Sequence, residues 1–210
     1  MQTAFPLQVR AMQLTSRTTT ALLEDLLNPA AQEVWEALDA RFRPIIRGFS
    51  LKLGLGEADA DDVTQETLTR VVKYYRQGSY DRSRGRLSSW VIGIARNCIL
   101  DWQGAASRRR ERRGESALVQ LSDHETLNGI WDEECRRVIL ENAMRELREE
   151  TRLEAKTIRA FEMIAFEERS ASDVSAELGL SLDSVYAAKN RCLTQLREIM
   201  SRLTDVYELV

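Results

Sequence analysis

The stretch SASDVSAELGLSLDSVYAAKNRCLTQL, residues 170–196, decides the reading of the fold. Ser170 with Asp173 has the spacing of a capping box that opens a helix, with Val174 and Leu178 on its inner face. Gly179 supplies the left-handed residue that ends that helix. Ser181 caps the next one, whose inner face is Val185, Cys192, Leu196 and Ile199. Small Ser175 comes four positions before Gly179, where two crossing helices need to approach closely, and Val185 comes six after it. This is the spacing of a helix-turn-helix. Many helix pairs joined at a glycine share it, so a DNA-reading module and a plain helical hairpin both stay open on this segment. If it reads DNA, the exposed start of the second helix offers Ser181, Asp183, Ser184, Tyr186, Ala187, Lys189, Asn190 and Arg191. Lys189 and Arg191 suit phosphates or guanine edges, Asn190 a base or backbone group, and Ala187 a close approach.

Outward from this stretch, the charge is unevenly spread. The 210 residues carry 30 Lys+Arg against 33 Asp+Glu, a formal net charge of −3. Residues 76–113 hold 10 basic and 3 acidic side chains, and every basic one is arginine; residues 114–168 hold 7 basic and 14 acidic. Guanidinium donates in a fixed planar fork that fits phosphates and base edges. A solvated basic face or tether explains a run such as Arg108-Arg109-Arg110 equally well. Residues 169–210 sit near neutrality, with 5 basic and 6 acidic side chains, so a DNA-reading module there would bind weakly alone and need a second contact.

The rest of the chain reads as helix. From Asn28-Pro29, a cap followed by a first-turn proline, Val34, Trp35, Leu38, Phe42, Ile45, Ile46 and Phe49 recur every three or four residues until Gly54-Leu55-Gly56. A second helix opens with Asp59, Asp61 and Asp62 and shows Val63, Thr67, Val71 and Tyr75 on one face. Gly78 to Arg86 reads as a loop, and Ser88 as the cap of a third helix carrying Trp90, Val91, Ile94, Ala95, Cys98, Ile99 and Trp102. The periodicity lapses from Gly104 to about Asn128, as in a linker. It resumes at Ile130 in a helix through Val138, Leu140, Met144, Leu147 and Leu153. A break then precedes a helix with Ile158, Phe161 and Ile164, and two shorter helices end the block. Thr18–Leu27 reads as a short helix. No segment has strand period, so the fold class is all-α, two small helical domains joined by a flexible linker. The boundaries read as an N-terminal extension 1–28, a first domain 29–106, a linker 107–129, a second domain 130–203 and a tail 204–210.

Two further motifs carry a resemblance. DADDVTQETLTRVVKYY (59–75) and YDRSRGRLSSWVIGIARNCILDW (80–102) resemble conserved region 2 of bacterial sigma factors. The helix-turn-helix with its lead-in AKTIRAFEMIAFEERS (155–170) resembles region 4. In order and spacing the pair is similar to the extracytoplasmic-function (ECF) sigma factors of the sigma-70-like family, which have these two domains and a short linker. The resemblance implies a chain that binds core RNA polymerase, recognises the −35 and −10 promoter elements and promotes DNA melting. It implies that Asp61, Asp62, Gln65 and Glu66 dock on the clamp coiled coil. Dipole complementation at a helix start explains such acids as well, and for Asp59 it is the preferred reading. It further implies that Tyr80, Asp81, Arg84, Arg86 and Ser88 capture a flipped base of the −10 element, with Arg96, Asn97, Arg108 and Arg109 along the DNA. Single-strand capture needs an aromatic or guanidinium platform and cations beside the backbone, and this stretch supplies both. Trp90 and Trp102 lie on the apolar stripe and read as core. The eight residues of the second helix-turn-helix helix are implied to read the −35 element. Tyr186-Ala187-Ala188 stand where many members of the family carry Lys-Ser-Arg, which thins the basic readout.

The implied partners are core RNA polymerase (clamp coiled coil and flap) and promoter DNA, with an anti-sigma factor among those the family admits. A stand-alone helix-turn-helix regulator, binding palindromic operators as a dimer, is the alternative. An enzyme is disfavoured: there is no phosphate loop or triad, and the single histidine, His124, falls in the linker. Cys98, Cys135 and Cys192 are far apart with no CxxC pair, so neither a disulfide framework nor a metal site is expected, nor any cofactor. No apolar run approaches the roughly 20 residues of a membrane span, and Met1 to Thr20 lacks a signal-peptide core. Membrane insertion is therefore not expected, and the location read from the sequence is the cytoplasm.

Overall fold

The computed structural model describes residues 19–25, 27, 32–111 and 124–207. Among them every regular element is helical: α1 (Thr19–Asp25), α2 (Gln32–Lys52), α3 (Glu57–Arg76), a 3-10 turn (Arg82–Arg84), α4 (Leu87–Glu111), α5 (His124–Glu149), α6 (Ala155–Ala165), α7 (Ala171–Leu178) and α8 (Leu182–Tyr207). Two compact units result. The first comprises the described residues up to Val138 together with Val206 and Tyr207; the second runs from Ile139 to Asp205.

In the first unit the apolar stripe of α2 is the centre of the core. Leu38, Ile45, Ile46 and Phe49 are buried, as are Val63, Leu68 and Val71 of α3 and Val91, Ile92, Ala95, Cys98 and Ile99 of α4. Leu22 and Leu23 of α1 close one side. The first half of α5 closes another, through Leu127, Trp131, Cys135 and Val138. Trp131 is 1% exposed and meets Phe49 edge to face with ring centroids 5.6 Å apart, and Phe42 at 6.4 Å. One turn further, the carboxylate of Glu134 lies over Gly48, where a Cβ would collide with it, and accepts from Arg137 Nε at 2.8 Å. The buried guanidinium of Arg41 donates to Thr19 Oγ1 (3.0 Å) and the Val206 carbonyl (3.3 Å), and stands 5.3 Å from the Tyr207 ring centre. This part of the core unites residues far apart in sequence, which local periodicity does not report.

In the second unit, Ala160 and Met163 of α6 pack with Val174 of α7 and with Val185 and Ala188 of α8, and Ile158, Phe161, Cys192 and Leu196 are also buried. Ala143, Met144 and Leu147 of α5 are also buried.

Several expectations change. The lapse from Gly104 to Asn128 is largely helical where it is described: α4 runs on to Glu111 and α5 starts at His124. Those residues are arginine-rich and polar, which ends the apolar stripe without ending helix propensity. Ser88 does not cap α4, because the helix starts at Leu87 and the Arg86 carbonyl accepts from Trp90 N–H at 3.3 Å. Leu153 lies in the break after α5 rather than in a helix. The last helix is not short: α8 has 26 residues. The Asn28-Pro29 start and most of the N-terminal extension, residues 112–123 of the expected linker and residues 208–210 of the tail lie outside the described residues.

Candidate nucleic-acid and protein interfaces

The loop after α3 is built by local chemistry. Gly78 adopts φ 72°, and its N–H donates to the Tyr75 carbonyl while Ser79 N–H donates to that of Tyr74, both at 2.9 Å. This closes α3 in the manner only glycine allows without strain. Asp81 then caps the 3-10 turn: its Oδ1 accepts from Ser83 N–H (2.9 Å) and Ser83 Oγ–H (2.7 Å). Those bonds, the hydroxyl one first, hold the Asp81 carboxyl below the usual carboxylate range. Asp81 is thus a builder of the loop. Tyr80 lies between two aromatic neighbours, its ring stacked on Tyr75 at 6.2 Å and tilted 45° against Trp90 at 5.2 Å, and its hydroxyl reaches the Gly85 carbonyl at 3.4 Å. Burial, with a smaller contribution from Glu24, pushes the Tyr75 hydroxyl above its ordinary pKa. Trp90 is only partly buried, so it packs on the core and also faces the loop.

The cations of this unit divide into two groups. Arg43 pairs with Asp39 and donates to Gln65 Oε1 at 2.7 Å. Arg47 pairs with Glu57 and, at 2.7 Å, with Asp61. Arg70 bridges Glu66 at 2.6 Å and Asp101 at 2.9 Å. Three of the four expected docking residues on α3, namely Asp61, Gln65 and Glu66, are therefore already engaged by arginines of their own unit. Asp62 is exposed and makes no ion pair among the described residues. By contrast Arg82, Arg84 and Arg86, all exposed, and Arg96, half-buried, make no ion pair among the described residues. Asn97 is exposed beside Arg96, and Ser88 is half-buried in the first turn of α4. Unpaired guanidinium around an ordered loop with an aromatic stack is an arrangement that can receive a phosphate backbone and an unstacked base. The side chains of Arg108 and Arg109 lie outside the described residues, although their backbone is helical.

In the second unit, Ser170 Oγ accepts from Asp173 N–H (3.1 Å) and donates to its carboxylate (2.7 Å), which opens α7. Gly179 sits at φ 59°, ψ 44°, with its N–H on the Ser175 carbonyl. Ser175 earns its place by donating its hydroxyl to the Leu180 carbonyl at 2.5 Å, which ties the turn. Ser181 caps α8 by accepting from Ser184 N–H at 3.1 Å. Asp183, Ser184, Tyr186, Ala187, Asn190 and Arg191 are exposed on α8, and Lys189 is half-buried. Tyr186 is 54% exposed and Leu182 48%, a large apolar surface at the start of a helix. Ala188 is 1% exposed, so position 188 serves the core and only 186 and 187 of the three departing residues face outward. The neighbouring arginines Arg148, Arg159, Arg169 and Arg202 pair with Glu162, Glu167, Glu177 and Glu146, whereas Lys189 and Arg191 pair with no acid among the described residues.

No group of three or more His, Cys, Asp or Glu side chains able to hold a metal occurs among the described residues, and no described helix is long and apolar enough to cross a membrane. The sequence reading missed Trp131 and Glu134, whose signal is weak because the helix carrying them follows the polar stretch.

Residues 38–113 match the Sigma-70 region 2 family. Over 181 residues the chain is 24% identical to the ECF RNA polymerase sigma factor RpoE of Cereibacter sphaeroides, covering 86% of this chain and 94% of that protein. It is 26% identical over 193 residues to SigE of Mycolicibacterium smegmatis, covering 88% and 68%. It is 30% identical over 125 residues to SigK of Mycolicibacterium vanbaalenii, covering 57% and 63%; both are ECF RNA polymerase sigma factors. Together with the helix-turn-helix in the second unit, these matches favour a sigma factor over a stand-alone operator-binding regulator. The region 2 match and the similarity to these relatives support an ECF RNA polymerase sigma factor of the sigma-70-like family.

Proposed function

We propose that this sigma factor binds core RNA polymerase through α3 and opens promoters with the loop after it, without catalysing a covalent reaction. The observation that supports the reading is the division of the arginines: Arg43, Arg47 and Arg70 form close ion pairs with acids, while Arg82, Arg84, Arg86 and Arg96 form none among the described residues, Arg84 feeling only the more distant charge of Asp81. Asp62 supplies the open carboxylate toward the basic clamp surface, with Asp61, Gln65 and Glu66 held in place beside it. Charge complementarity of this kind sets register and encounter rate more than raw affinity. Tyr80, Asp81, Arg84, Arg86 and Ser88 form the pocket for a base leaving the stack, and Arg96 and Asn97 follow the same strand. Unstacking costs a few kcal/mol, offset by base-pocket contacts and by cations on phosphates. Ser181, Asp183, Ser184, Tyr186, Ala187, Lys189, Asn190 and Arg191 meet the upstream element in the major groove, where Tyr186 and Leu182 give apolar contact in place of some of the usual charge. The protein works in the cytoplasm, where core polymerase and promoter DNA are available.

The test is transcription with purified core polymerase. The chain should confer initiation from asymmetric promoters, and Arg84→Ala with Arg86→Ala should impair opening while core binding persists. Failure to bind core, or equal loss of core binding in the double variant, refutes the reading.

A further inference from the structure

The outward face of α8 carries information about which bases its upstream contact prefers, and reading it rests on the function proposed above. At 3.6 residues per turn, Asp183, Ala187 and Asn190 fall within about 60° of one another, on the side opposite the buried Val185, Ala188 and Cys192. All three are exposed, as is Tyr186 at the edge of the same stripe. Leu182, one turn before Tyr186, is exposed too, so two large apolar side chains stand at the start of the helix. The two cations lie off the stripe. Lys189 is half-buried, and Arg191 turns back along the helix, its Nε donating to the Ala187 carbonyl at 3.4 Å. Ser184 is occupied by the cap, where its N–H and its hydroxyl both meet Ser181 Oγ.

Each base pair shows the major groove a distinct pattern of donors, acceptors and methyl groups. Guanine shows two acceptors, N7 and O6, which a cationic or other donor fork satisfies. The Asp183 carboxylate only accepts, so it repels that edge and suits an exocyclic amino group instead. The Ala187 methyl and the Tyr186 ring are apolar, and the apolar feature of the groove is the C5-methyl of thymine. Asn190 makes no side-chain hydrogen bond among the described residues, and its carbonyl and amide match adenine N6 and N7. Ala187 and Asn190 are separated by about 4.5 Å of helix rise, close to the roughly 3.4 Å between neighbouring bases on a strand. One turn of α8 therefore reaches two adjacent pairs. We infer that α8 selects its upstream element through a thymine methyl packed on Ala187 and Tyr186 and an adjacent adenine held by Asn190, with Lys189 and Arg191 left for the flanking phosphates. Duplex DNA is the occupant of this face because the exposed apolar pair stands at the end of the helix that enters the major groove, with a cation on each flank.

The experiment lets the full chain, bound to core polymerase, select duplexes with a randomised upstream segment, then measures affinity for the selected duplex with single atoms changed. Selection should return adjacent A·T pairs in the upstream element. Deoxyuridine in place of thymine removes only the methyl and should weaken binding about fourfold, the factor for one buried methyl. 7-Deazaadenine in place of the adenine should weaken it at least about fivefold, the lower end for a bidentate base contact. Tyr186→Ala should narrow the thymine–deoxyuridine difference to under about twofold, and Asn190→Ala should do the same for adenine against 7-deazaadenine, as coupled partners require. Both variants should keep core binding. A selected guanine whose 7-deaza replacement weakens binding by the parent chain but not by Lys189→Ala or Arg191→Ala overturns the inference in favour of cation readout. Indifference to deoxyuridine and 7-deazaadenine overturns it too, and leaves the promoter function standing when initiation still occurs from the selected duplex. Loss of core binding in Tyr186→Ala overturns it in favour of a protein contact. If the holoenzyme selects no duplex and initiates from none, the function itself falls and the base assignment falls with it.

Discussion

Trp131→Ala should detach the first half of α5 from the unit that holds the capture loop. The indole is 1% exposed and is wedged against Phe42 and Phe49, with centroids 6.4 and 5.6 Å away. Truncating a fully buried aromatic to alanine costs about 3–5 kcal/mol, including the cavity left behind. The cavity would border α2, where Ile45, Ile46 and Phe49 form the centre of the core. Whole-domain stabilities are only about 5–15 kcal/mol, so the loss is a large fraction of what holds this unit together. Part of the loss can be relieved by undocking α5, because the buried carboxylate of Glu134 becomes solvated as it leaves. The assay is hydrogen exchange of the full chain together with urea unfolding followed by circular dichroism. Amides of α5 up to Val138 and of α2 around 42–49 should exchange at least about a hundredfold faster, the factor that 3 kcal/mol gives. Trp90→Ala, whose ring is only partly buried, should cost clearly less. If Trp131→Ala costs under about 1 kcal/mol and leaves exchange in α2 unchanged, the assignment of α5 to this core is refuted.

Three further outcomes follow from local geometry. The Asp81 carboxyl is held below its ordinary pKa by Ser83, so the order it gives the loop is complete above about pH 4 and fades as pH falls through the lowered value. The Ser83 amide should report this by NMR titration, and Asp81→Ala should show the disordered signal at neutral pH. Gly179→Ala forces a side chain onto φ 59° and should destabilise the second unit by about 1 kcal/mol, read from thermal melting; an unchanged melt would show that this turn carries no constraint. Cys98, Cys135 and Cys192 are buried, and burial pushes the Cys135 thiol up to about 12. A disulfide reagent at pH 8 should therefore label none of them until denaturant is added, and rapid native labelling of Cys135 would contradict its burial.

Much of this molecule was legible from periodicity and punctuation. The α2 stripe, the breaks at Gly54 and Gly78, the capped α7 and the glycine turn into α8 are all local: residues within one or two turns specify them. On α4, Arg96 is half-buried and Asn97 exposed just before the buried Cys98. The helical ends at Glu111 and His124 were not legible, because a solvated arginine-rich helix carries no apolar rhythm.

The sequence by itself determined the helical class, the helix-turn-helix and the arginine concentration in residues 76–113, since each rests on residue types at fixed short spacings. Tertiary structure alone decided which charges are spoken for. Arg43, Arg47 and Arg70 meet acids contributed by other turns and other helices, so they are neutralised where they stand, while the loop arginines and Asp62 form no close ion pair among the described residues. It also decided that Trp131 and Glu134 belong to the first core and that Ala188 faces inward. Such pairings depend on distances between segments remote in the chain, and a Coulomb or packing term that acts across a few ångströms leaves no trace in linear order.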